Sequence, residues 1–261
     1  MPSVGSATVI THGRPELVAP AVQRVREVAE QAGVAIVDEG EPDLAVVLGG
    51  DGTMLRALTR FLGTNVPVLG VNFGRVGFLT AIAPDQLERD LERAFAGDYR
   101  VVELPTIEVA FDGETYVAVN DAVVTSGTIG RIVELAYAIG DEDLGVQRCD
   151  GLVCSTPQGS TAYNLSNGGP VVVWGLEAMV LTFVAPHALH IRPLVVGRGT
   201  DLRVENVSVD VPGTVLVDGH AAGRLAPGES VRMRLGEQRS LLATLPEVTF
   251  FRRYRQTFGY R

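Results

Sequence analysis

The 261 residues, 46% of them hydrophobic, suffice for one large domain or two ordinary ones with a well-buried core. The formal charge of −9 argues against a nucleic-acid-binding surface, and all 22 basic residues are arginine because the sequence contains no lysine. That absence excludes Walker A ATPases, protein kinases with a strand lysine and Schiff-base enzymes, so any phosphate must be held by backbone amides, arginine or metal.

Met1 to Ile10 has no basic region followed by an apolar run, and no later stretch reaches the ~18 uncharged apolar residues of a membrane span. A cytoplasmic protein without a membrane partner is expected. Ala7 to Thr11 reads as a strand, and Pro15 opens a helix whose Leu17, Val18, Val22, Val25 and Ala29 recur at helical spacing until Gly33. Val34 to Val37 and Leu44 to Leu48 are short apolar runs suited to strands buried on both faces of a parallel sheet. A helix from about Thr53 to Leu62 and a strand from Val66 to Val71 follow. Pro84 starts a helix with the apolar stripe Leu87, Leu91, Ala94 and Phe95, ending at Gly97. Residues 1–98 thus predict an α/β, Rossmann-like domain with ligand sites at the carboxyl ends of its strands.

After Asp98 the pattern changes to strands with glycine turns. Thr106 to Phe111 and Thr115 to Val119 flank Asp112-Gly113, a favoured hairpin turn. Ile132 to Ile139, Leu202 to Val209, Val215 to Val217 and Ser230 to Leu235 continue the pattern, so residues 99–245 predict a β-rich, sandwich-like domain. The tail 246–261 is expected to return to the first domain, with Arg252, Arg253 and Arg255 either meeting phosphate or lying on a solvated basic helix face, the latter being the more common case.

The sharpest motif is Gly49-Gly50-Asp51-Gly52-Thr53, between an apolar run and a helix. Three glycines permit conformations that a Cβ forbids and let a ligand approach the backbone, while the helix start offers unpaired amides to phosphate. Asp51 is then the one anion in a cationic setting; the blander reading makes Asp51 or Thr53 a helix cap. The second motif runs from Asp150 to Pro170, a short strand entering a long loop of small hydroxyl residues, glycines and Tyr163, whose flat ring suits a nucleoside base. Cys149 and Cys154 flank that strand and read as buried inert thiols, too few for a disulfide framework and without zinc-site spacing. His187 and His190 read as structural.

In this order and on this architecture, the motifs resemble the NAD kinase family. The resemblance extends over nearly the whole chain through Gly49 to Thr53, Asn72 to Thr80, Asn120-Asp121, Asp150 to Pro170, Pro186 to Val196 and Asp218-Gly219. It implies transfer of a phosphoryl group from ATP, or from polyphosphate, to the 2′-hydroxyl of the adenosine ribose of NAD. Asp51 matches the family's catalytic aspartate, as base or metal ligand, and Gly52 lines the nucleotide site. Asn120 and Asp121 match an Asn-Glu pair that binds NAD, the shorter carboxylate being a departure. Arg131, Arg148 and Asp150 match contacts to the dinucleotide from one subunit or its neighbour. Thr161, Ala162, Tyr163, Asn164, Leu165 and Ser166 match the segment around the adenine and its ribose, and Ala185 a backbone contact. His220 stands where glutamine is common, which makes its contact pH-sensitive. The triphosphate would rest on amides near Gly49, Gly50 and Thr53, on Mg or Mn, and on Arg56 or Arg75. A homodimer or homotetramer is implied.

Two rival readings carry distinct expectations. Lipid and sugar kinases share a similar GGDGT, against which the nucleoside-like loop counts. A non-catalytic module sensing NAD(H) or NADP has no use for the base at Asp51. Acid excess without lysine fits either a salt-adapted source or codon bias in a GC-rich genome.

Overall fold

The computed structural model describes residues 1–11, 15–74, 77–188 and 190–259. Most of the sequence Thr11-His12-Gly13-Arg14-Pro15 and the whole of Arg75 lie outside the described residues. The chain forms two compact units, Met1–Glu103 with Arg239–Arg261, and Leu104–Gln238.

The first unit is an α/β layer. Strands β1 (Ser6–Thr11), β2 (Ala35–Ile36), β3 (Leu44–Gly49) and β4 (Val68–Asn72) pair in parallel in the order β2-β1-β3-β4. Leu242 and Ala243, late in β16 (Ser230–Thr244), pair in parallel with Val68 and Leu69 of β4. The unbroken apolar run of β3 is buried on both faces, as helix-covered parallel strands require. Helices α1 (Pro15–Ala32), α2 (Asp51–Arg60) and α3 (Leu87–Phe95) supply the cover. A core of Val25, Val28, Ala29, Leu44, Val46, Leu48, Leu69, Val71, Leu87 and Leu91 joins α1, α3 and the sheet. Pro84 opens a single 3-10 turn, Pro84–Gln86, before α3 proper. The C-terminal helix α5 (Phe250–Phe258) also belongs to this unit.

The second unit is a β-sandwich. One sheet has the order β12 (Leu194–Gly197), β11 (Ala178–Val184), β10 (Gly151–Ser155), β7 (Asp121–Ser126), β14 (Gly213–Val217) and β15 (His220–Leu225), all neighbours antiparallel. The other joins β5 (Arg100–Phe111) and β6 (Glu114–Ala118) with β8 (Val133–Ile139), β9 (Glu142–Cys149), β13 (Leu202–Asn206) and the first part of β16. Inward-facing residues of both sheets, among them Ile107, Val109, Val124, Leu135, Leu152, Cys154, Leu181, Val204 and Met233, share one core. Asp112, at φ 53°, and Gly113, at φ 77°, make the expected turn between β5 and β6, since two left-handed residues give a twist that matches the strands. No described helix is long and apolar enough to cross a membrane.

Candidate functional site

In the first unit, Gly49 of β3 stands opposite Asn72 of β4 where both parallel strands end, and the Phe73 amide donates to the Gly49 carbonyl at 3.0 Å. The loops leaving these strands therefore lie side by side at the carboxyl edge of the sheet, where open α/β sheets bind ligands. Helix α2 begins at Asp51, two residues earlier than expected, with Gly50 at its N-cap and no side-chain cap. Asp51 does something other than capping: Oδ2 accepts the Phe78 amide at 2.8 Å and Oδ1 the Leu79 amide at 3.0 Å. The carboxylate is thus fixed by two backbone donors from the segment after β4, and each oxygen retains a free lone pair.

The glycines of the first motif correct one expectation. None of Gly49, Gly50 and Gly52 adopts a positive φ; Gly50 has φ −108°. Gly49 is required because a Cβ there would run into the side chain of Thr53, which is buried in α2, whereas a Cβ on Gly50 or Gly52 would meet nothing within 4 Å. The start of α2 thus has open space beside Gly50 and Gly52, where a helix leaves its first amides without intrahelical partners, while the Thr53 and Met54 amides donate to the Gly50 carbonyl at 3.0 Å. Arg56 is exposed on α2. The basic tail corrects a second expectation: Arg253 is only 6% exposed, and its Nη1 donates to the Gly77 carbonyl at 3.2 Å. Arg252 and Arg255 are exposed. Burial pulls the Arg253 guanidinium down to about 10, with the Asp51 charge acting the other way, so it remains a cation at neutral pH.

In the second unit, Asp121 of β7 faces Ser155 of β10, and Val217 of β14 faces Ala122. The turn Val119–Asp121, the loop after Ser155 and the turn after Val217 accordingly meet at one end of the sheet. Asp218 organises that end. Its Oδ2 accepts the Val119 amide at 2.8 Å, and its Oδ1 accepts those of Asn120 at 2.7 Å and Asp121 at 3.2 Å. Asp218 itself sits at φ 48°, a left-handed position that Asp tolerates better than most residues. Asp121 is 6% exposed, and burial followed by repulsion from Asp218 pushes its carboxyl up to about 7. The Asn120 Oδ1 is buried with no hydrogen-bond partner among the described residues, an arrangement that leaves an acceptor for an incoming donor.

The segment after β10 is more ordered than the long loop expected from its composition. Gly159–Thr161 forms a 3-10 turn and Tyr163–Ser166 a single helical turn, α4. Asn164 is fully buried and its side chain is committed inside the fold, with Nδ2 donating to the Ser160 and Pro170 carbonyls and Oδ1 accepting the Thr182 hydroxyl at 2.6 Å. Thr161, Ala162 and Leu165 are partly exposed, Ser166 is exposed, and Tyr163 presents its ring at 44% exposure. His220 is exposed at the same end, with Nδ1 at 3.0 Å from the Asp218 carbonyl.

Arg131, Arg148, Asp150 and Ala185 fall elsewhere. Gly151 faces Thr125 and Val184 at the opposite end of the same sheet, about 13 Å along β10 from Ser155 at ~3.3 Å per residue. There Arg131 pairs with Asp210 at 3.0 Å, Arg148 lies 3.3 Å from Glu134, Asp150 is exposed, and Ala185 takes φ 44°. Asn120, Asp121, Thr161 to Ser166 and His220 are therefore brought together, while these four residues form a separate group. Cys149 and Cys154 are buried, and burial pushes both thiols up to about 12. His187 and His190 are exposed, and no group of three or more metal-ligating side chains occurs among the described residues.

Residue reading alone did not find the amides of Phe78 and Leu79 or the buried Arg253. The signal for Arg253 was present in the tail: Phe250, Tyr254 and Phe258 recur at four-residue spacing, which marks a helix face that packs.

Comparison with known proteins extends over both units. Residues 12–99 match the model of the ATP-NAD kinase N-terminal domain, and residues 119–245 that of the ATP-NAD kinase C-terminal domain. The chain is 43% identical over 219 residues to an NAD kinase of Heliobacterium modesticaldum, covering 82% of this chain and 77% of that one. It is 36% identical over 240 residues to an NAD kinase of Gemmatimonas aurantiaca, covering 90% and 83%. The fold is similar to an NAD kinase from Archaeoglobus fulgidus in complex with ATP, with TM-score 0.80, 26% identity and 97% of each chain covered. It is also similar in fold to yeast NADH kinase complexed with NADH, with TM-score 0.87, 21% identity and coverage of 99% of this chain and 88% of that one.

Proposed function

Since this chain belongs to the NAD kinase family, we propose that Asp51 is the base of its reaction and that the Asn120, Asp121 and Tyr163 end of the second unit receives the dinucleotide. The chain is an enzyme that phosphorylates NAD with ATP. In the reaction, the ribose 2′-hydroxyl of NAD gives its proton to Asp51 as its oxygen bonds to the γ-phosphorus. The bond from that phosphorus to the bridging oxygen breaks, and ADP leaves with the electron pair. The observation that carries the reading is the fixed geometry of Asp51, whose two oxygens are each oriented by an amide beside an open helix N-terminus. Phosphoryl transfer asks for alignment and charge neutralisation more than covalent chemistry, and a positioned base adds about 10²- to 10⁴-fold.

The remaining parts of the reading follow from the chemistry of the residues. Amides at Gly50 and Gly52, with Arg56, receive the triphosphate or a polyphosphate chain in place of the lysine the sequence lacks. A divalent Mg or Mn ion, if it entered with ATP, would supply charge neutralisation, and the remaining lone pairs of Asp51 would offer it an oxygen ligand. The unpaired Asn120 Oδ1 accepts a ribose hydroxyl, and the Tyr163 ring stacks on adenine. Arg131, Arg148, Asp150 and Ala185, at the far end of the sheet, serve a neighbouring subunit in a cytoplasmic homodimer or homotetramer. NADP formation from NAD, ATP and Mg²⁺ by the purified protein tests the reading; tight NAD binding with no turnover on ATP or polyphosphate would leave a binding module.

A further inference from the structure

Helix α5 holds the segment that holds Asp51, and it does so at two points. Arg253 donates through Nη1 to the carbonyl of Gly77, the residue immediately before the two amide donors Phe78 and Leu79. On the same segment, the Phe78 ring lies 6.0 Å from that of Phe250 and 5.6 Å from that of Phe258, measured between centroids. Local chemistry fixes the helix in turn: the Thr249 hydroxyl caps its N-terminus by accepting the Arg252 amide at 3.2 Å, and Phe250 is buried.

From this geometry we infer that Arg253 is a positioning residue for the phosphoryl-transfer step, setting the Asp51 carboxylate through Gly77, Phe78 and Leu79. The inference rests on the reading of Asp51 as the base. A guanidinium placed behind the loop does two things at once. Its hydrogen bond to Gly77 orients the peptide chain so that the next two N–H groups converge on one carboxylate. Its charge lies within electrostatic reach of Asp51, so the cation attracts the carboxylate that accepts those N–H groups. Burying a cation is costly, so a side chain serving only as a packing element in α5 would be better built from carbon. Arginine at this position is explained by what its charge and its directed donor do for the carboxylate nearby.

The test compares Arg253→Met, Arg253→Lys and wild type in kcat, in NAD affinity and in hydrogen exchange at the Phe78 and Leu79 amides. Methionine keeps the bulk and removes both charge and donor. Arg253→Met is expected to lower kcat about 10²-fold with NAD affinity within about threefold, as displacement of a positioned group does. Exchange at the two amides should quicken at least about tenfold, and Arg253→Lys should recover part of both effects. If Arg253→Met does not fold, Phe258→Ala, at a half-exposed ring on the same segment, provides the same readouts. Unchanged kcat, unchanged exchange at either amide, or a loss of kcat that merely follows lost NAD affinity would each overturn the inference, as would a lysine variant no better than methionine. Exchange reads Arg253 even in a protein without turnover, so failure of the kinase reading and failure of this inference remain distinguishable.

Discussion

The Oδ1 atom of Asp218 accepts the backbone amide of Asn120 at 2.7 Å, and this bond is the centre of a three-amide clamp on the turn that presents Asn120 and Asp121. Asp218→Asn isolates the clamp, because asparagine tolerates φ 48° as aspartate does. Loss of the charged acceptor is expected to lower stability by about 2–4 kcal/mol and to raise KM for NAD more than it lowers kcat. Denaturant unfolding and steady-state kinetics check this; wild-type values for both would remove Asp218 from the account.

The neighbouring Asp121 makes stability depend on pH in an unusual direction. Its carboxyl is pushed up to about 7, first by burial and then by the charge of Asp218, whose own carboxyl burial also pushes up. An acid with a higher pKa in the folded protein keeps a proton that the unfolded chain loses near pH ~4. Its contribution is therefore complete below about pH 4 and is lost as pH rises to about 7, amounting to at most about 4 kcal/mol. Asp121→Asn is expected to gain on wild type steadily over this range when both are unfolded in denaturant. A difference that stays flat with pH would contradict it.

Gly77 approaches Asp51 so closely that a Cβ would overlap the carboxylate. Gly77→Ala is expected to push Asp51 off the Phe78 and Leu79 amides and to reduce kcat at least ~10²-fold with the fold retained, as misplacement of a reacting group does. Circular dichroism and kcat together decide the matter, and a folded alanine variant with wild-type turnover would show that the tight approach is immaterial.

Tyr163 tests the proposal that this end of the second unit receives the dinucleotide. Removing a ring that stacks on a base costs about 1–3 kcal/mol, so Tyr163→Ala is expected to raise KM for NAD about tenfold or more, whereas Tyr163→Phe should stay near wild type. Equal effects of the two changes would assign the role to the hydroxyl instead.

Local patterning makes much of the architecture legible in the sequence. The apolar run Leu44 to Leu48 announced a strand buried on both faces, and Asp112-Gly113 announced a hairpin, because each depends on neighbours in sequence. The sequence carries no separate signal for β7, β9, β11, β12 and β15; in β9, with the pattern of an exposed edge, Glu142, Asp143, Gln147 and Arg148 interrupt the apolar residues and leave little apolar signal. At the candidate site, the GGDGT motif drew attention to Asp51 but not to its partners, since Phe78 and Leu79 stand 27 and 28 residues away and act through the backbone, which every residue shares. The burial of Arg253 is not legible in the sequence for a related reason. Burial of a cation is decided by tertiary packing, and three arginines within four residues look alike until one of them turns inward.

The most direct test of the central claim is the rate of NADP formation by Asp51→Asn alongside its affinity for NAD. Asparagine preserves the shape and one acceptor while removing the base, so kcat is expected to fall about 10²- to 10⁴-fold with NAD affinity retained. A folded Asp51→Asn protein that forms NADP at the wild-type rate would contradict the claim that Asp51 takes the proton.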